Sequence, residues 1–195
     1  MGAHGLAGRA ARDFDSAPED GSAAWGTSAR AGRLTEAFAV MLRTALVPPG
    51  QPQDWFLFLE DDLDFHPRIA SLVETWEALQ DPECVLASLF NPSLRPSDRF
   101  VPTPRAFAAE PGSFLGAQAL LVRRAAALGA RANWERIAGL ASQRLAQISG
   151  RWSRIWVHKP SLVQHVALDS SWGARVQKAL DFDPGWTPAP PGHSA

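Results

Sequence analysis

Apolar residues along the chain recur with two different periods, and the changes between them mark the elements. Leu34, Phe38, Met41, Leu42 and Leu46 fall on one helical face, which predicts a helix from Arg33 that Pro48-Pro49-Gly50 stops. Trp55-Phe56-Leu57-Phe58-Leu59 is a continuous apolar run of strand length, as expected of a strand covered on both faces. It ends in Glu60-Asp61-Asp62-Leu63-Asp64. Pro67 then suits a first helical position, and Ile69, Leu72, Val73, Trp76 and Leu79 follow at helical spacing. A second strand is expected over 85–90 and a third over 114–122. A helix is expected over 133–148, and extended pieces over 155–158 and 162–166.

The segments between these elements differ in kind. Residues 1–32 are rich in Gly, Ala, Ser, Asp and Arg without periodicity, so they are expected to form a disordered leader. Pro92, Pro96, Pro102, Pro104 and Pro111 predict a long irregular loop from Asn91 to Pro111, because each proline removes an amide donor and fixes φ. Residues 33–183 then form the expected domain, and 184–195 a Pro- and Gly-rich tail. Strands alternating with helices predict an α/β fold with a mainly parallel sheet.

Charge and cysteine content narrow the chemistry. Lys plus Arg number 19 against 20 for Asp plus Glu, so no global field draws the chain of 195 residues to nucleic acid or an anionic membrane. The single cysteine, Cys84, excludes an internal disulfide and sits in an apolar run as a small hydrophobe. No segment has the length and apolarity of a signal peptide or spanning helix, so a cytoplasmic protein is expected.

Glu60, Asp61, Asp62 and Asp64 place four carboxylates within five positions at a strand end. Two unit charges about 5 Å apart repel by roughly 3 kcal/mol at an effective dielectric near 20, so such a cluster calls for protons or a cation. Hard oxygen donors select Mg²⁺ or Mn²⁺, commonly shared with substrate phosphates. The competing reading is a solvated turn whose acids cap the helix that begins near Pro67.

At these residues the chain resembles a known family. Trp55 to Asp62 is similar to the strand and DXD-type motif, in Glu-Asp-Asp form, of glycosyltransferases with the GT-A fold. Pro160-Ser161-Leu162-Val163-Gln164-His165-Val166 with Asp169-Ser170-Ser171-Trp172-Gly173 resembles a late segment of N-acetylglucosaminyltransferase IV-like and related bacterial enzymes. Pro111-Gly112-Ser113-Phe114-Leu115-Gly116-Ala117-Gln118-Ala119 stands where that family has a Gly-containing acceptor-side segment. The resemblance spans about 34–183 and implies a Rossmann-like three-layer sandwich, apparently incomplete at its N-terminal side.

The resemblance further implies transfer of a sugar from a nucleotide-sugar donor, with UDP the expected nucleotide, to a glycan or other hydroxyl acceptor, with Mn²⁺ or Mg²⁺ as cofactor. Carried over by residue, Asp62 is the principal metal ligand, Glu60 and Asp61 orient ribose and metal-bound water, and His165 is a further ligand. A histidine among Leu162, Val163 and Val166 reads equally well as a hydrogen-bonded core residue. Asn91 and Gln118 are candidates for sugar hydroxyls or ordinary strand-end residues. Trp172 and Trp186, in Gly- and Pro-rich surroundings, are candidates for stacking on the acceptor, whereas most tryptophans at apolar spacing fill core. Glu135 is the candidate base, with a surface helical residue as the alternative. A noncatalytic relative that binds glycans or partners, and a Mg²⁺-dependent phosphotransferase or nuclease using the same acids, remain the other classes.

Overall fold

A computed structural model describes residues 29–47, 49–51, 53–91, 100–102, 106–109, 117–149, 155–166 and 177–188. In chain order they form α1 (Ala29–Ala45), β1 (Trp55–Leu59), β2 (Leu63–Phe65), α2 (Ile69–Glu74), a 3-10 turn at Glu77–Gln80 and β3 (Leu86–Ser88). Then come β4 (Phe100–Pro102), β5 (Ala106–Ala109), β6 (Ala119–Arg123), α3 (Arg124–Asn133), a 3-10 turn at Trp134–Arg136, α4 (Ala141–Ser149), β7 (Ile155–His158) and β8 (Val163–His165). The molecule is of mixed α/β class.

The main sheet has the order β1-β6-β3-β7-β5-β4, and β2 pairs with β8 in a separate two-stranded sheet. The mainly parallel sheet expected from the sequence is instead mixed: β3–β7 is parallel, while β1–β6, β3–β6, β5–β7 and β4–β5 are antiparallel. Two additions cause it: the β4–β5 hairpin extends the sheet antiparallel beyond β7, and β6 enters between β1 and β3. β1, β3 and β7 do run in one direction, as helices between strands require, but β6 arrives later in the chain and slots between β1 and β3 in the opposite sense. An apolar run does not report the direction of its neighbours, and the expected cover on both faces of β1 is not found: it is the outermost strand, with Phe58 buried, Trp55, Phe56 and Leu57 half-buried and Leu59 exposed.

Side-chain alternation along these strands feeds two cores. Phe58, Leu86, Leu120, Val122, Ile155 and Val157 face one side, where Phe38 and Leu42 of α1, Ala126 and Ala130 of α3 and Leu145 of α4 cover them. Ala87, Ala119 and Leu121 face the other side, beneath Leu72 and Val73 of α2, Trp76, Leu63 and Val163 of the small sheet, and Leu162 just before it. Burying each large apolar side chain contributes about 1.5–3 kcal/mol. Cys84 is free and fully buried in the second core, where desolvation pushes its thiol up to about 12.

Several boundaries differ from expectation for local reasons. Helix α1 starts at Ala29, inside the stretch assigned to the leader; residues 1–28 lie outside the described part. The helix expected over 133–148 is divided into α3, a 3-10 turn and α4. The first half ends where Ile137 becomes extended (φ −116°, ψ 122°), Gly139 at φ 115° takes a left-handed conformation in the connection, and Gln143 Oε1 accepts from Leu140 N–H (2.9 Å) at the start of the second. Part of the expected loop 91–111 is the hairpin β4–β5, whose Pro102 is tolerated because β4 is an edge strand. The third strand is observed over Ala119–Arg123, and residues 111–116 lie outside the described part.

Candidate metal centre

Because β1, β3 and β7 run the same way, their carboxyl ends share one edge of the main sheet. Glu60 follows β1, Asn91 lies just past β3, and Gln118 opens β6 at that same edge. The Glu60 N–H donates to the Gln118 carbonyl (2.9 Å), extending the β1–β6 ladder by one residue before the chain bends at Asp61 and Asp62. Leu63 then drops into the second core and anchors β2.

Register completes the cluster. Leu63 lies opposite His165 in the β2–β8 pair, and the Val166 N–H donates to the Asp62 carbonyl (3.0 Å). His165, 103 residues further along the chain, is thereby held beside Asp62, and its Nε2 is 2.8 Å from Asp62 Oδ2. A carboxylate only accepts, so Nε2 carries the proton in this contact. The His165 side chain is 11 % exposed and that of Asp62 40 %. One potential ligand atom each from Glu60, Asp62 and His165 lies within 4.8 Å of the others.

Two observations bear on whether these residues fit a cation. Asp62 Oδ1 and His165 Nδ1 are buried and make no hydrogen bond, so part of the donor set is desolvated without compensation. Glu60 is exposed as a residue, yet desolvation raises its carboxyl to about 7; the charge of Asp62 adds to the rise, His165 opposes it and Asp61 adds to it. Protons and a divalent ion relieve the same crowding, and a set of two carboxylates and one imidazole is a fitting donor set for a divalent metal. The capping alternative lacks support: α2 begins after Arg68, makes no side-chain cap bond and has no acid in its first turn. Asp64 lies on β2 opposite Gln164.

The remaining candidates are distributed unevenly. Asp61 is exposed at the bend. Gln118 has a buried Oε1 with no hydrogen-bond partner. Asn91 is 6 % exposed, and its N–H donates to Ser161 Oγ (2.9 Å), which in turn donates to Asp181 Oδ1 (2.6 Å). Glu135 is exposed on the 3-10 turn after α3, within the helical layer that covers the face opposite the β2–β8 sheet. Trp172 lies outside the described residues. Trp186 is half-buried against the second core; its carbonyl accepts from His66 Nε2 (3.0 Å) and its ring meets His158 edge-on at 5.8 Å.

Trp186 apart, sequence reading did not single out the segment 177–188, which is tied to β8. Gln164 Nε2 donates to the Ala179 carbonyl (2.9 Å), and the Ala179 N–H donates to Gln164 Oε1 (3.0 Å). Lys178 Nζ donates to the His165 carbonyl. The only sequence signal was Gln164 itself, a polar residue beside an apolar strand. Among the described residues, no helix is long and apolar enough to cross a membrane. Neither a protein-family model nor a curated protein sequence matches the chain.

Proposed function

We propose that this chain is a divalent-metal-dependent glycosyltransferase of GT-A type, moving a sugar from a nucleotide-sugar donor, with UDP as the expected nucleotide, to a hydroxyl acceptor. The observation that carries the reading is the meeting of Glu60, Asp62 and His165 at the carboxyl edge of the sheet. Ligands of open α/β sheets bind at that edge. The nitrogen in the donor set favours Mn²⁺ over Mg²⁺, which prefers oxygen alone. A bound divalent cation supplies positive charge to the phosphate oxygens as the nucleoside diphosphate departs.

The chain's own residues do the rest. Asp62 and His165 would hold the cation, with Asp62 set beside His165 by the β2–β8 register. Glu60 would complete the donor set once it has lost its proton, and Asp61, exposed beside it, would be free to orient ribose or water. Gln118 Oε1, buried without a partner, supplies an acceptor for a sugar hydroxyl. Asn91 stands at the next strand end of the same edge.

Incubation with Mn²⁺ and a panel of UDP-sugars tests this reading. Nucleoside diphosphate is released in a metal-dependent way and Asp62→Ala abolishes the release; no release and no thermal stabilisation with any donor contradicts it. A second reading is motivated by the exposed Glu135, carried by the helical layer on the far face of the sheet: a noncatalytic protein that binds nucleotide sugar or glycan. It requires metal-dependent binding without release.

A further inference from the structure

Strand β1 ends the main sheet, and its outer edge pairs with nothing among the described residues. The Arg124 N–H donates to the Asp54 carbonyl (2.7 Å) and the Glu60 N–H to the Gln118 carbonyl (2.9 Å), which fixes the phase of the ladder between β1 and β6. Antiparallel bonds alternate, so Phe56 and Phe58 bond to β6, and the N–H and C=O groups of Trp55, Leu57 and Leu59 point outward. Exposed edges are normally guarded by a charge, a proline or a bulge. The opposite edge strand, β4, carries Pro102. Strand β1 reads Trp55-Phe56-Leu57-Phe58-Leu59, pairs with β6 in unbroken register and has no such guard.

The side chains define what fits that edge. Phe56 is half-buried against the core beneath α1, α3 and α4, and Trp55 and Leu57 are half-buried against the other core. Leu59 is 39 % exposed. A strand added here extends both cores, so it must be apolar on both of its faces, as β1 itself is. No stretch of this chain outside the described residues has a run of five apolar residues. A second β1 has one, and its edge is complementary to itself. With Leu57 laid antiparallel to Leu57 and Trp55 opposite Leu59, the outward N–H and C=O groups of each copy meet those of the other.

We propose that the outer edge of β1 is the interface of a two-fold homodimer, in which β1 pairs antiparallel with β1 of a second copy about Leu57 and joins the two main sheets. The pairing consumes the unguarded edge of both copies, so assembly closes at two. A ladder of this length is at the small end of specific interfaces, and the association is weak, with a dissociation constant on the order of tens of micromolar. The flanking acids oppose it: in this register Asp54 of each copy comes opposite Glu60 of the other, so salt, by screening them, strengthens the dimer. The pairing needs neither metal nor substrate and stands or falls apart from the proposed function.

Sedimentation equilibrium of the full chain from low to high micromolar concentration, with amide exchange followed residue by residue by NMR, tests the pairing. The expected result is a reversible monomer–dimer equilibrium in which the amides of Trp55, Leu57 and Leu59 gain protection as concentration rises. Those of Phe56 and Phe58, already bonded to β6, are protected throughout. Leu59→Lys puts a charge on the edge, and Leu57→Pro removes an outward donor while leaving the β6 ladder intact. Each is expected to weaken dimerisation at least about tenfold, with the melting temperature of the dilute monomer within a few degrees of wild type. A chain that stays monomeric, one that forms open-ended assemblies, or a dimer whose Trp55, Leu57 and Leu59 amides exchange as fast as in the monomer overturns the proposal. Should Leu57→Pro fail to fold, Leu59→Lys decides alone: a folded Leu59→Lys that dimerises as strongly as wild type overturns it.

Discussion

Asp62 gives one carboxylate oxygen to His165 and leaves the other buried without a partner. Asp62→Asn keeps the shape but removes the charge, so Mn²⁺ affinity is expected to fall by about 10²-fold, the upper range for losing a group that shapes a metal site. The thermal midpoint of the metal-free protein should stay within a few degrees, since the side chain is 40 % exposed. Glu60 sets a pH dependence. Its folded pKa, about 7, stands above its ordinary 4.5, so the folded chain binds more protons than the unfolded chain between those values. Metal-free stability attributable to Glu60 is therefore fully present below pH 4.5 and lost as pH rises to about 7. Mn²⁺ binding runs the other way, strengthening with pH up to about 7 and levelling beyond it. Melting curves and Mn²⁺ titrations of wild type against Glu60→Gln across that window check both signs; parallel profiles in the two proteins contradict the account. Cys84, with its thiol pushed up to about 12, should resist alkylation at pH 8 until the chain unfolds. At this scale the acids were legible because charge abutting five apolar residues is a strong local signal. The docking of Ala179 on Gln164 was not, because no local pattern encodes a contact between residues 15 positions apart.

Among the elements, β2 and β8 matter most for the site, and each is only three residues long. Their pairing sets Asp62 beside His165, and Gln164 between them ties β8 to residues 177–188. Gln164→Leu should release that segment, seen as faster amide exchange over 177–188 with the strands of the main sheet still protected. A second element-level test is Gly139→Ala. At φ 115° an added Cβ is strained by its backbone alone, and it would also lie 2.8 Å from Gln143 Oε1, so a loss of about 1–2 kcal/mol in urea unfolding is expected. The long apolar run of β1 and the helical face of α1 were readable from spacing alone. Strand β2 was hidden inside the acidic motif, and β5 is built of Ala106-Phe107-Ala108-Ala109, whose weak strand preference is overridden by pairing with β4 and β7.

Across the whole molecule, the mixed sheet separates two tasks. One face is packed by α1, α3 and α4, and Leu145→Ala in that core is expected to cost about 2–5 kcal/mol without altering Mn²⁺ affinity. The other face carries α2, the β2–β8 pair and residues 177–188, which together bring the carboxyl edge of β1 against His165. The sequence implied the common direction of β1, β3 and β7, and hence the shared edge. It did not reveal β6 between β1 and β3, because strand order is settled by long-range pairing. The central claim is that Glu60, Asp62 and His165 form one divalent-metal centre. Its most direct test is Mn²⁺ titration followed by electron paramagnetic resonance on wild type, Asp62→Ala and His165→Ala. One saturable ion per chain with nitrogen coupling, weakened without Asp62 and without that coupling when His165 is replaced, is the predicted result; equal binding in all three proteins, or none in wild type, contradicts it.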